Sequence, residues 1–315
     1  MGRIITLFSL LFCSFSYAQV TKVIVWESLY NNPTPILMDS LHRALELTVP
    51  EYGDYEIIVS SKMEQGRSLL EIANHKKSKL DITSLAPTIE SEKVAIPIRI
   101  PVLSGLMGYR LCLIKENHQQ RFDNIKNKQQ LIEKKITIGQ HKDWPDTTIL
   151  RANGITAHTT HKKNLLFQQL SRERFDCFSR GTSEIYAEYL QYQNKGLRIE
   201  KELILYYPLP VFFFVNKSRP LLAERVQLGL ERLIASGEMD DIVQRTFLPI
   251  ISVLKLTERT VIDLHNPTLS DATLKAIESP IQRFRENHLT NKAVASKAEE
   301  DNNEKIIKPI AVTTP

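Results

Sequence analysis

The stretch LPVFFFVNKSRPLLAERVQLGLERLIASGEMDDIVQRTF, residues 209–247, decides how this chain is read. Val211-Phe212-Phe213-Phe214-Val215 is an uncharged run of β-formers, which predicts a strand covered on both faces. Asn216 and Lys217 end it, and Ser218 just before Pro220 marks a helix start. Leu222, Val226, Leu230 and Leu233 fall on one helical stripe, and Gly237 closes that helix. Met239, Ile242, Val243 and Phe247 mark one more short helix.

Outward from this segment the same alternation recurs. Lys22 to Trp26 reads as a strand, and Ile36, Leu37, Leu41, Ala44 and Leu45 form a helical stripe. Tyr55 to Val59 is the next strand, Ser68 to Asn74 lies in a helix, and Leu80 to Ser84 is a short third strand. Strands alternating with helices predict a parallel sheet with helical layers. Pro97, Pro101, Gly105 and Gly108 then punctuate an extended segment, and Tyr109 to Lys115 is expected to cross outward to a second lobe. There the expected elements are a helix over Asn127–Lys134, strand Ile136–Gly139 and a helix opening at Trp144-Pro145. A helix over Asn164–Leu170, strand Arg174–Phe178 and a helix over Thr182–Tyr192 follow. Tyr206 to Pro210 leads back. Beyond Phe247 the chain carries an extension, with a strand near Val261–Leu264 and a helix from Leu269.

The N-terminus adds a compartment. Arg3, an apolar run from Ile4 to Phe15 and Ser16-Tyr17-Ala18 make a cleavable secretory signal, too short to span a bilayer. The bulky Phe12 before Cys13 argues against lipid attachment. The expected division is signal peptide 1–18, lobe 1 over 19–114 and 211–286 with its C-terminal extension, lobe 2 over 115–210, and a disordered tail 287–315 rich in Lys, Glu, Asn and Thr. The net charge of +5 is too mild, and its lysines too scattered, for nucleic-acid binding. Cys112 and Cys177 fall in different lobes on this division and are expected to be buried free thiols rather than a disulfide.

Three pieces add to residues 209–247: Leu80-Asp81-Ile82 followed by Thr88-Ile89-Glu90-Ser91-Glu92-Lys93-Val94, and then Arg174-Phe175-Asp176. In order and spacing, Val23 to Phe247 resembles the bacterial extracellular solute-binding proteins, family 3 (type II periplasmic binding proteins). Gly139-Gln140-His141-Lys142-Asp143-Trp144-Pro145-Asp146 with Ile149 to Gly154 is similar to an uncharacterised branch of secreted homologues. The resemblance implies an α/β, two-lobed type II periplasmic-binding-protein fold with two interlobe crossovers, closing on a solute. It also implies departures. Amino-acid binders of the family use an arginine after the third strand for the ligand's carboxylate; here that place falls on Ser91 or, in an ungapped alignment, on Lys93. Their aspartate for the ammonium falls at Gly181.

Ligands of α/β proteins sit beyond the carboxyl ends of parallel strands. That rule selects Trp26, Glu27 and Tyr30 after the first strand, although Trp26 is as well explained by burial under a helix. Thr83, Ser84 and Thr88 follow the third strand, where the alternative is turn capping. Gln140, His141, Trp144 and Thr147 follow the first strand of lobe 2, and Asp146 there is a candidate helix cap. Arg180 and Gly181 form the leading pair: a planar cation beside a residue that permits close backbone approach. Arg110 and Arg151 are further cations near the cleft, and Tyr207 stands at the return hinge. With Arg180, Arg110 and Arg151 at hand and the amino-acid clamp altered, an anionic ligand is expected, and Arg180→Ala is expected to weaken it without unfolding the chain.

No nucleophile elbow, HExxH or phosphate-binding glycine loop is present in the sequence, so no catalytic residue, cofactor or metal is assigned. His158 and His161, three apart without a neighbouring carboxylate, are expected on a solvated surface. The expected product is a monomeric periplasmic solute-binding protein, with a small-molecule solute and an inner-membrane permease or sensor as partners. The alternatives are a secreted dehydratase-like enzyme on the same fold and a ligand-free sensory or scaffold protein.

Overall fold

A computed structural model describes residues 20–31 and 35–286. The expected signal peptide and tail lie outside the described residues. In chain order the elements are β1 (Thr21–Val25), α1 (Glu27–Tyr30), α2 (Ile36–Glu46), α3 (Val49–Tyr52), β2 (Tyr55–Val59), α4 (Gln65–Ala73), β3 (Ile82–Leu85), α5 (Ile89–Val94) and β4 (Ile96–Ile98). Then come β5 (Tyr109–Lys115), α6 (Lys128–Glu133), β6 (Thr137–His141), α7 (Pro145–Ala152), β7 (Thr156–Thr160), α8 (Lys163–Ser171), β8 (Cys177–Gly181), α9 (Thr182–Tyr192), β9 (Leu197–Ile199) and β10 (Leu203–Tyr206). The chain closes with β11 (Phe212–Val215), α10 (Pro220–Ala235), α11 (Glu238–Val253), β12 (Thr260–Asp263) and α12 (Asp271–Arg285).

Two sheets form. The first runs β2-β1-β3-β11-β4 and the second β7-β6-β8-β5-β10-β12, with β9 also on β5. In both, the second, first and third strands of a parallel βαβ run lie side by side. The next place goes to an antiparallel strand that has just arrived from the other lobe: β11 beside β3, and β5 beside β8. Each lobe thus completes its sheet with a strand delivered by a crossing, which fastens both hinge segments into regular structure. As its uncharged sequence predicts, β11 is buried throughout.

One apolar cluster runs through both lobes, from Val23, Leu41, Phe213 and Leu230 to Leu111, Phe167 and Phe178. A second fills the other face of the second sheet, around Ile138, Leu150, Leu205 and Ile262. Within lobe 1, α10 lies against α2 so closely that a Cβ on Gly229 would stand 2.1 Å from the Ala44 carbonyl oxygen. Backbone cannot yield as a flexible side chain does. Gly229→Ala is therefore expected to lower stability by about 1–3 kcal/mol, read as a reduced urea midpoint.

Four expectations are corrected. Tyr109 to Ile114 is buried on both faces as a central strand of the second sheet, so Cys112 belongs with lobe 2. Cys112 and Cys177 lie diagonally on one face of the β5–β8 ladder, with Cα atoms 5.1 Å apart, and are joined as a disulfide rather than free. The expected strand at Arg174–Phe178 starts later, at Cys177, because the Asp176 carboxylate turns to accept the Thr137 N–H and hydroxyl, both at 2.8 Å. The extension also differs from a simple annex of lobe 1: β12 pairs in parallel with β10 at the edge of the second sheet.

Candidate functional site

Between the lobes lies an open cavity of about 550 Å³. Lobe 1 lines it with the start of α4, the residues after β3 and the start of α5; lobe 2 lines it with Lys142 to Pro145 and Thr148. Pro267 and Thr268 of the extension complete the wall. The lobes nearly touch at one point, where a Cβ on Gly66 would stand 3.0 Å from Asp143 Oδ2. The wall mixes apolar groups (Leu69, Leu85, Ile89, Trp144) with hydroxyls and the charges of Glu90, Lys142 and Asp143. Lys142 and Asp143 are paired at 3.7 Å. That surface suits a small solute with both polar and apolar parts.

Among the residues singled out from sequence, Thr88 and Trp144 line this cavity. Thr88 also caps α5, its hydroxyl accepting the Ser91 N–H at 3.0 Å while Ser91 Oγ accepts the Thr88 N–H. The others are placed elsewhere. Trp26 is buried in the core and donates its indole N–H to the Met63 carbonyl. Glu27 accepts from Asn31, and Tyr30 is half exposed. Thr83 and Ser84 are buried within β3, paired to β11. Gln140 donates to the Ser179 carbonyl, and Thr147 to that of His141. The buried His141 ring places Nε2 2.7 Å from the His161 carbonyl and accepts the Asp143 N–H at Nδ1. Arg151 is exposed on the last turn of α7.

The arginines do not bear out the expectation of an anionic ligand. Arg180 is 2% exposed, its guanidinium 4.7 Å from the centre of the Trp144 ring and 5.2 Å from that of Phe178. Glu188 takes two of its N–H groups at 2.6 and 2.8 Å, and Glu184 lies 2.7 Å from Nη2. Burial by itself would lower the Arg180 pKa, but these carboxylates more than offset it and raise it. Burial likewise pushes the Glu184 carboxyl up, yet Arg180 and Arg110 hold it below its ordinary value. Arg110, equally buried, lies 2.6 Å from Asp146, and the Tyr207 hydroxyl donates to the same Asp146 oxygen at 2.6 Å. Asp146 is thus a counter-ion inside lobe 2 rather than a helix cap. Burial, reinforced by Asp146, raises the Tyr207 phenol well above its usual range.

Both guanidiniums therefore have carboxylate partners, and neither stands free to grip an anion. Gly181 does allow a close approach, but by Met107 and Arg110: its Cβ would lie 2.6 Å from the Met107 sulfur and 3.0 Å from Arg110 Nη1. With Arg180 holding Glu184 and Glu188, the Arg180→Ala variant should lose stability instead of losing ligand alone.

Several lining residues were missed. Thr148 is one helical turn from Trp144, so helix spacing could have found it. Gln65 and Gly66 open the helix after β2, the one early lobe 1 strand whose carboxyl end yielded no candidates. Pro267 and Thr268 carried no sequence signal of this position.

No protein-family model matches the chain, and no curated protein matches it in sequence. Solved structures do. An ancestral arginine-binding protein bound to glutamine superposes with a TM-score of 0.54 at 18% identity, covering 73% of this chain and 99% of its own. An arginine-specific periplasmic binding protein of Salmonella typhimurium gives a TM-score of 0.52 at 14% identity, covering 72% and 100%. The chain has the two-lobed fold of the type II periplasmic binding proteins. An ancestral amino acid-binding protein described as a precursor of cyclohexadienyl dehydratase shares this fold at a TM-score of 0.51 and 16% identity, covering 72% of this chain and 95% of its own. At such identities the likeness of these type II binding proteins is one of fold. Among the described residues no helix is long and apolar enough to cross a membrane.

Proposed function

We propose that this protein is a secreted solute-binding protein that takes a small molecule into the interlobe cavity and closes its lobes on it. The observation that carries this reading is the cavity itself, walled by both lobes and large enough for a metabolite of amino-acid size. Closure stabilises only a ligand that touches both walls, and Thr88 with Trp144 provides one contact from each. Binding of amino acids by proteins of the same fold makes amino acids the first class to screen. A zwitterion would meet Lys142, Asp143 and Glu90 in place of the family's arginine and aspartate. Periplasmic location and delivery to a permease or sensor belong to the same proposal.

The test is a thermal-shift screen of the protein against amino acids, short peptides and neutral metabolites. A ligand at 100-fold excess over Kd should add about 2.7 kcal/mol of apparent stability, several degrees in Tm for a chain of this size. Trp144→Ala should abolish that shift. A screen in which nothing raises Tm would sink the reading, and conversion of a hit to product would redirect it to catalysis.

A further inference from the structure

The extension makes a third connection between the lobes. β12 lies along β10 at the edge of the second sheet, in register from Leu203 opposite Thr260 to Tyr206 opposite Asp263. The chain then leaves lobe 2. Asn153, at the end of α7, holds the His265 backbone from both sides, donating to its carbonyl at 2.7 Å and accepting its N–H at 3.0 Å. At the return hinge, Asn266 donates to the Pro208 carbonyl at 2.7 Å. On lobe 1, the Ile89 N–H donates to the Thr268 carbonyl at 2.9 Å. The Glu92 carboxylate accepts the hydroxyls of Ser270 at 2.9 Å and Thr273 at 2.5 Å. Beyond these anchors, Ile277 and Ile281 of α12 join the apolar cluster that includes lobe 1.

We infer that residues 264–273 form a strap that ties lobe 2 to lobe 1, walls one side of the cavity and limits how far it opens. A molecule with two crossings opens by dihedral changes in two hinge segments. Here a third segment is pinned at Asn153 on one lobe and at Ile89 and Glu92 on the other. Opening must stretch the residues between these pins or release one of them. Pro267 and Thr268, at the lobe 1 end of this segment, line the cavity, so a bound molecule would touch the strap as well as both lobes. The contact of ligand with strap rests on the solute-binding reading; the restraint on the lobes does not.

The restraint can be measured without any ligand. Glu56 is exposed on β2 and Thr156 on β7, the outer strands of the two sheets. Glu56→Cys and Thr156→Cys in a Cys13→Ser background, spin-labelled, report the interlobe distance by pulsed electron resonance. The parent chain should give one narrow distance. Weakening the lobe 1 pin by removing its Glu92 anchor with Ser270→Ala and Thr273→Val, or the lobe 2 pin with Asn153→Ala, should each add the same longer-distance population. Circular dichroism verifies folding; Glu92→Leu, which removes both acceptor oxygens, replaces the lobe 1 variant if that fails, and Asn153→Leu replaces the lobe 2 variant. A distance distribution unchanged by release at either end overturns the strap. A ligand screen without hits would leave this readout standing, so the two failures are told apart.

Discussion

Removing the Cys112–Cys177 disulfide is expected to cost this protein about 4 kcal/mol of stability, by the loss of loop-closure entropy in the unfolded chain. The bridge closes a segment with a sequence separation of 65 that contains β6, α7, β7 and α8, the first half of the lobe 2 sheet and its helices. A loop that long is held together in the unfolded state only by the bridge, so the reduced chain gains many conformations that the oxidised chain lacks. Urea unfolding with and without reductant should show a lower midpoint and a steeper m-value for the reduced protein, because its unfolded ensemble is more expanded. The Cys112→Ala, Cys177→Ala pair should behave like the reduced form, apart from a small loss of packing at two buried positions. Equal midpoints in the two redox states would show that the bridge adds nothing to the β5–β8 ladder. A disulfide in the middle of a sheet also suits passage through an oxidising compartment, in keeping with the secretory signal expected at the N-terminus.

The same bridge marks where sequence reasoning stops. The uncharged run of β11 announced a doubly covered strand, and the stripe on α10 announced the helix that packs against α2, because burial patterns are local and periodic. Tyr109 to Lys115 was equally clear as a strand. Its place in the second sheet was not, since sheet membership depends on which lobe a crossing strand joins, and no local pattern encodes that. Once β5 was put in the wrong lobe, the cysteines had to look unpaired. Arg180 is a different case. It lies at the end of β8, and its partners Glu184 and Glu188 are one helical turn apart on α9, so a shared helix face for the two carboxylates was legible, while the strand-to-helix turn that brings Arg180 to them was not. The partner of Arg110 was not legible: Asp146 lies 36 positions away on another element, and only the fold brings them to 2.6 Å.

That long-range pair supports the second large effect. Arg110→Met should lower stability by about 3–5 kcal/mol, because it strips Asp146 of its directly paired cation while the carboxylate stays buried, hydrogen-bonded to the Tyr207 hydroxyl. Asp146→Leu should be comparably harmful, for it leaves a guanidinium 2% exposed with no carboxylate close by except Glu184, 4.0 Å from Nη1. The double variant should recover much of either loss, since two apolar side chains of similar volume demand no desolvated charge. In urea denaturation the double-mutant cycle should therefore show a strongly non-additive, favourable coupling. The outcome also bears on function. A guanidinium placed to hold a solute would be spared for that solute, and its removal would leave the urea midpoint in place while abolishing ligand-induced shifts in Tm. If Arg110→Met behaves in that way, the ion pair is not a structural brace, and Arg110 returns to the ligand site from which its carboxylate partner removes it.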